Sequence, residues 1–455
     1  MRERLDHRVK LVIIMPVLFI IGLIFLLVNT TLHAREWVVH PGNKNLYVQG
    51  ALTYAGSVYD RNGQMLAGTE GDHRIFSADE TIRKATLHVV GDLNGFIKTG
   101  LQTSYRTQLV GYDYLNGLYG GGYGDNITST IDADLCAAAL KALGSRSGAV
   151  AVMNYKTGDI LCSVSAPTFD PTKELTLSEE EIKTSGYYVN RVFSGLIAPG
   201  SIFKLVTAAA ALDNVDGIAD MEFTCKRGVD IGGETLTCHS NHGTLSFQDA
   251  LIHSCNASFA QIALKMGPET LQNYTASKLN FGGTYKVNGI KLSASKYPKE
   301  EIRDIDFGWS SIGQHHDMVN PLHYLTFVSA IANGGTAPAP SIIQSIESPA
   351  GLPRIVPKSL STRMLPEETA DTLKSIMRDT VIKNYKETRF QGLSLCAKSG
   401  TAEIEKNDRP HSWFTGFMDD EDHPYAFIVV VENGGAGAEA AANIAATVLK
   451  EAKSK

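Results

Sequence analysis

The chain has 455 residues, 43% of them hydrophobic and 20% charged, with 42 Lys and Arg against 48 Asp and Glu for a net charge of −6. This globular balance excludes collagen, a disordered tail and a disulfide-dense miniprotein, and at roughly 150 residues per domain it leaves room for about three units. A mildly acidic chain also lacks the basic face that duplex nucleic acid requires, so no nucleic-acid partner is expected.

The first segment to depart from the average is Leu11 to Val28, eighteen residues without a charge, preceded by Arg2, Arg4, Arg8 and Lys10. As a helix it rises about 27 Å, close to the roughly 30 Å core of a bilayer. A cleaved signal peptide has a shorter apolar core, and Leu32-His33-Ala34 is a poor cleavage site, which favours a retained anchor. The expectation is a cytoplasmic tail over 1–10, a transmembrane helix over 11–28 and, by the positive-inside rule, everything from Asn29 on the outer side of the cell membrane.

Residues 29–126 are rich in Gly, Thr and Tyr, with short strand-like runs and a turn at Asp60-Arg61-Asn62-Gly63. They read as a β-rich stalk or dimerisation-like domain whose tail, Tyr112 to Asp125, has the texture of a linker. A larger α/β unit follows over 127–455. Ala133 to Leu143 reads as a helix, and Gly148 to Asn154 with Ile160 to Ser165 as a hairpin around Lys156-Thr157-Gly158-Asp159. Ser201 to Leu212 is apolar nearly all round, the pattern of a buried helix, and Pro199-Gly200 signals its start. Phe247 to His253 and Ser258 to Met266 read as two helices broken at Ser254-Cys255-Asn256, with Gly267 as the stop. The chain ends with strands over Leu393 to Ala397, Ser412 to Phe417 and Tyr425 to Glu432, then a helix over Ala438 to Ala452.

The six cysteines, Cys136, Cys162, Cys225, Cys238, Cys255 and Cys396, form no dense framework. Cys225 and Cys238 bracket a Gly-rich insert. They could bridge, or hold zinc with His239 and His242, or stand free; the last is preferred, with no metal assigned, because the spacing matches no standard site closely.

Three short motifs carry chemistry. Ser201-Ile202-Phe203-Lys204 places a hydroxyl and an amine at i and i+3 on one helix face. Serine becomes a nucleophile only when a base takes its proton, and lysine serves as that base only where burial or a second cation lowers its pKa. Ser254-Cys255-Asn256 sits in a helix break, where a hydroxyl and an amide can face a cleft, although Ser and Asn also cap helices. Lys398-Ser399-Gly400-Thr401 follows a strand, where an extended peptide can pair and a lysine can meet a carboxylate. The first and third patterns recur elsewhere: Ser293-Ala294-Ser295-Lys296 matches the first, and Lys98-Thr99-Gly100 and Lys156-Thr157-Gly158 match the third. Only one set runs in the order S-x-x-K, S-x-N, K-[ST]-G.

With that order the chain resembles the class B penicillin-binding proteins, the membrane-anchored monofunctional transpeptidases. The resemblance also takes in Asp60 to Gly63, Thr130-Ile131-Asp132, Ser163 to Pro171, Pro199-Gly200-Ser201 and Trp413-Phe414-Thr415-Gly416. It implies a serine transpeptidase and β-lactamase-like α/β fold, an antiparallel sheet flanked by helices behind a β-rich stalk and one membrane helix. It further implies a peptidoglycan D,D-transpeptidase that cross-links stem peptides, releases D-alanine and is inhibited by β-lactams. Ser201 would be the acylated nucleophile, Lys204 its base, Ser254 a proton shuttle and Asn256 a holder of the peptide amide. Lys398 would tune the site, Ser399, Gly400 and Thr401 would bind substrate, and the backbone N–H groups of Ser201 and Thr401 would form the oxyanion hole. No cofactor is called for. With only about 100 residues between anchor and catalytic unit, glycan polymerisation would fall to a partner, a multi-pass membrane polymerase. A carboxypeptidase or β-lactamase on the same site, or a silent sensor or division scaffold, are the alternatives.

Overall fold

The computed structural model describes residues 2–40, 47–48, 51–52, 55–71, 73–113, 117–118, 124–298, 302–404 and 409–455. Most of the expected linker, Tyr112 to Asp125, lies outside them. A single helix, Arg2–Val38, opens the chain. Its stretch Val12–Ala34 is long and apolar enough to cross a membrane. The helix continues ten residues past the expected end at Val28 (Val38 against Val28). Thr30 and Thr31 permit this by donating their hydroxyls to Leu26 O at 2.7 Å and Leu27 O at 2.9 Å within the helix.

The core is a five-stranded antiparallel sheet in the order Ile160–Ala166, Gly148–Asn154, Tyr425–Val431, His411–Met418, Leu395–Ala402. The inner strands are buried on both faces, which explains their uninterrupted apolar runs where a half-exposed strand would alternate. Helices Glu80–Val90, Ala133–Leu143 and Ala440–Lys453 pack together on one face. Lys204–Asn214, Pro321–Ala332 and Glu367–Thr380 pack together on the other. Leu395–Ala402 is an edge strand, and it carries the Lys398 motif within it: Lys398 pairs Thr415, Gly400 pairs Trp413 and Thr401 pairs Ser412. The expected end at Ala397 was therefore short, because Ser and Gly have low strand propensity and the partner strand imposes the extension.

A second sheet runs Ile343–Glu347, Asn126–Ser129, Val58–Tyr59, Met65–Glu70, His73–Phe76. Asn126–Ser129 lies across the expected boundary at residue 126, and Ile343–Glu347 joins the sheet from far along the chain. Asp60 of the Asp60 to Gly63 turn is buried. Its Oδ1 accepts from Asn62 N and Gln64 N at 2.8 Å, and its Oδ2 accepts from Ala133 N at 3.2 Å, the first residue of the helix Ala133–Leu143. The cysteine insert folds as two antiparallel pairs, Glu222–Cys225 with Gly243–Ser246 and Gly228–Ile231 with Glu234–Thr237.

Candidate active site

A 3-10 turn, Gly200–Phe203, leads into the helix Lys204–Asn214. Gly200 has φ +54°, and a Cβ there would lie 2.3 Å from Thr401 O, so only glycine lets this turn approach the edge strand so closely. Ser201 is half-buried at the mouth, while Lys204 is fully buried behind it. The Lys204 Nζ lies 3.0 Å from Ser201 Oγ, 2.8 Å from Ser254 O, 3.2 Å from Ser254 Oγ and 2.7 Å from Asn256 Oδ1. Burial pulls this amine down from 10.5 to about 7.

In its neutral state this amine suits its four neighbours. The Ser254 carbonyl and the Asn256 Oδ1 can only accept, and a neutral amine has two N–H groups to give them. Its lone pair is then left for a hydroxyl, which is the relation a base needs toward Ser201. Lys398 is buried on the far side of Ser254, with its Nζ 2.9 Å from Ser254 Oγ and 3.0 Å from Ser399 O. Burial, and then the charge of Lys204, hold it well below the usual lysine value.

Ser254-Cys255-Asn256 turns the chain between helices Phe247–Ile252 and Asn256–Met266. The capping reading is corrected in its residue: Cys255 caps the second helix by accepting from Ser258 N, while Ser254 and Asn256 face Lys204. Ser254 sits at φ +54°, an uncommon conformation for a residue with a Cβ. The Asn256 amide also donates to Thr237 O at 3.2 Å, tying the turn to the insert.

On the edge strand, Ser399 and Thr401 are half-buried and Gly400 is buried. A Cβ on Gly400 would press Ile202 Cγ2 and Pro199 O, both at 2.9 Å, so the strand can lie against the nucleophile turn only with glycine here. Tyr385, which sequence reasoning passed over, donates to Ser399 Oγ at 2.8 Å and accepts from Ser399 N at 2.8 Å. Gln314 donates to Thr401 O at 2.9 Å, and the Trp413 indole donates to Ala198 O at 2.9 Å. A cleft of about 520 Å³ joins these parts, lined among others by Ser201, Ser254, Asn256, Tyr385, Ser399 and Thr401. The chain thus brings together every residue of the ordered motifs. The repeated patterns lie elsewhere: Lys156 and Thr157 sit in a hairpin turn, and Ser295 is a buried acceptor for Asn320 N.

The cysteines stand free, as the preferred reading expects. All six are free of disulfides, yet Cys225, Cys238 and His242 converge with Cys255 of the helix break, and His239 is outside the group.

The penicillin binding protein transpeptidase domain family matches residues 148–450. Peptidoglycan D,D-transpeptidase PbpA of Mycolicibacterium smegmatis is 29% identical over 339 residues, 69% of this chain and 68% of that protein. Stage V sporulation protein D of Bacillus subtilis is 27% identical over 318 residues, 66% of this chain and 48% of that protein. Among solved structures, the D,D-transpeptidase domain of a peptidoglycan glycosyltransferase from Eggerthella lenta is similar with a TM-score of 0.76 at 25% identity, over 88% of this chain and 98% of that one. Penicillin-binding protein A from M. tuberculosis, in its ceftriaxone acyl-enzyme complex, is similar with a TM-score of 0.75 at 23% identity, over the same shares of 88% and 98%.

Proposed function

Since this chain belongs to the penicillin-binding protein transpeptidase family, as a class B, PbpA-like peptidoglycan D,D-transpeptidase, we propose that Ser201 is the residue it acylates and Lys204 the base that activates it. The observation that carries this reading is the buried Lys204 amine 3.0 Å from the Ser201 hydroxyl, with the Ser254 carbonyl and the Asn256 Oδ1 also within its hydrogen-bond reach.

Ser201 Oγ attacks the carbonyl of the penultimate D-alanine as its proton passes to Lys204. The resulting oxyanion is met by the backbone N–H groups of Ser201 and Thr401, fixed donors that cost no reorganisation when the charge develops. Ser254, bridged between Lys204 and Lys398, delivers a proton to the leaving amine, and the C–N bond breaks to release D-alanine. An amine of a neighbouring stem peptide then attacks the acyl-serine, forming the cross-link and restoring Ser201. Asn256 holds the donor peptide's amide, while Ser399, Gly400 and Thr401 present the strand edge and hydroxyls for its backbone and carboxylate.

In this reading 11–28 anchors the chain in the membrane and 1–10 stays cytoplasmic. Residues 29–126 form the stalk, and 127–455 work outside on peptidoglycan stem peptides beside a multi-pass glycan polymerase. The test is intact mass after penicillin, followed over hours. The wild type gains a persistent adduct of one drug and Ser201→Ala gains none; a labelled alanine variant refutes the nucleophile, and an adduct that clears in seconds points to a hydrolase.

A further inference from the structure

The convergence of Cys225, Cys238, His242 and Cys255 is not used by the reaction above. Their ligand atoms all lie within 4.8 Å of one another. The His242 Nδ1 is 3.6 Å from both Cys225 Sγ and Cys238 Sγ, and Cys238 Sγ is 3.9 Å from Cys255 Sγ. Around a tetrahedral zinc with Zn–S near 2.3 Å and Zn–N near 2.0 Å, the edges come to about 3.8 Å between sulfurs and about 3.5 Å from sulfur to nitrogen. These three edges match that tetrahedron, and the other three lie within 4.8 Å. They are far too long for a bond between sulfurs, which needs about 2.05 Å.

The surroundings suit a closed site. Cys225 and Cys255 are fully buried, Cys238 and His242 half-buried, and Ala257, Val229 and Leu245 form an apolar wall. The Ser258 N–H and hydroxyl both point at Cys255 Sγ, at 3.5 and 3.2 Å, the donors that a bound thiolate takes from its outer shell. Four ligands of soft sulfur and imidazole leave no open coordination position, the mark of a structural site as opposed to a catalytic one.

We propose that Cys225, Cys238, His242 and Cys255 form a structural zinc centre that fastens the Ser254-Cys255-Asn256 turn to the insert behind it. Three thiols lose their protons as the ion binds, and imidazole enters neutral. Cys255 is the middle residue of the turn, so its bond to the metal fixes the backbone between Ser254 and Asn256. That backbone needs fixing, because Ser254 is held at φ +54° and both neighbours must reach Lys204. Cys238 follows Thr237, whose carbonyl accepts from the Asn256 amide, so a second ligand supports the same asparagine from the insert side. The four residues are positioning groups. Cys238 lines the same cleft as Ser201, and among the described residues no hydrogen bond joins any of the four to that serine.

The test is made on the full chain in detergent. Metal analysis of wild type gives one zinc per chain. Cys225→Ser and His242→Ala lose it by more than fivefold, and Cys162→Ser, at a buried cysteine outside the cluster, keeps it. Loading with cobalt alone gives the thiolate-to-metal absorption of a tetrahedral site. Stripping the wild type with a chelator then slows acylation by penicillin at least tenfold, and zinc restores it. Metal-free protein whose cluster thiols alkylate at the rate of ordinary exposed thiols overturns the proposal, as does an intact mass two hydrogens lower from a disulfide. Zinc that can be removed without changing acylation overturns the link to the turn. Zinc content is read without penicillin, so its failure is distinct from failure of the Ser201 assignment.

Discussion

A buried ammonium has to shed its proton before it can accept one, and Lys204, held at about 7 by burial, does so near neutrality. The expected pH profile follows in sign: below about 7 the amine is charged and cannot take the Ser201 proton. Acylation by a chromogenic cephalosporin should therefore fall about tenfold per pH unit on the acid side and level off above. Lys204→Arg, which stays charged at every working pH, should lose acylation by roughly 10²- to 10⁴-fold while still folding, as checked by stopped-flow alongside circular dichroism. Tyr385 gives a different prediction. Its hydroxyl serves both Ser399 N and Ser399 Oγ, so Tyr385→Phe removes two hydrogen bonds of about 0.5–1.5 kcal/mol each and should cost about 1–3 kcal/mol in urea denaturation. The motif residues were legible because each carries a chemical group at a fixed spacing and the three motifs keep one order. Tyr385 was not, since a lone tyrosine upstream of the strand has no pattern to mark it. Cys255 was legible as part of a turn but not as a ligand, because its partners arrive from an insert whose folding is set by tertiary contacts.

At the scale of elements, the nucleophile turn and the edge strand are joined through glycine. Gly200→Ala puts a Cβ 2.3 Å from Thr401 O at a backbone angle that L side chains avoid, so the turn must back away from the strand. A displacement of about 1 Å between serine and oxyanion donors is worth about 10²-fold in rate, and the variant should show that loss of acylation with Lys204 and Ser254 untouched. The sheet's inner strands were readable as continuous apolar runs, and the closing strands and helix were placed in their right order. What sequence could not give was pairing. Ile343–Glu347 has no local feature that sends it to Asn126–Ser129, more than two hundred residues back, and Lys398 to Thr401 is extended because His411–Met418 lies beside it.

Across the whole molecule, Arg83 clamps the helix Glu80–Val90 to Asp170, far along the chain. Its guanidinium meets Asp170 through Nε at 2.9 Å and Nη2 at 2.7 Å, and also donates to Ser77 O and Ala78 O. Asp170 is nearly fully buried, and Arg83 holds its carboxyl well below the usual carboxylate range. Arg83→Ala leaves Asp170 with the Thr172 N–H and hydroxyl and with Lys173 at 3.6 Å, and should cost about 1.5–3 kcal/mol at neutral pH. Because a depressed carboxylate contributes its stability above the ordinary value of about 4 and loses it as pH falls, the gap between variant and wild type should narrow on acidification, which denaturation at pH 7 and pH 3 checks. The position of Leu395–Ala402 at the rim of the central sheet has its own consequence for solubility. Most proteins blunt or cover such a rim, since its unpaired amides and carbonyls invite another chain and end in aggregates. In this peptide-joining enzyme Tyr385 takes the Ser399 N–H, Lys398 the Ser399 carbonyl and Gln314 the Thr401 carbonyl. With the Gly200–Phe203 turn laid against the strand as well, few of its groups are left for a stray strand, so the partners that dress the rim beside the substrate cleft double as a guard against self-association.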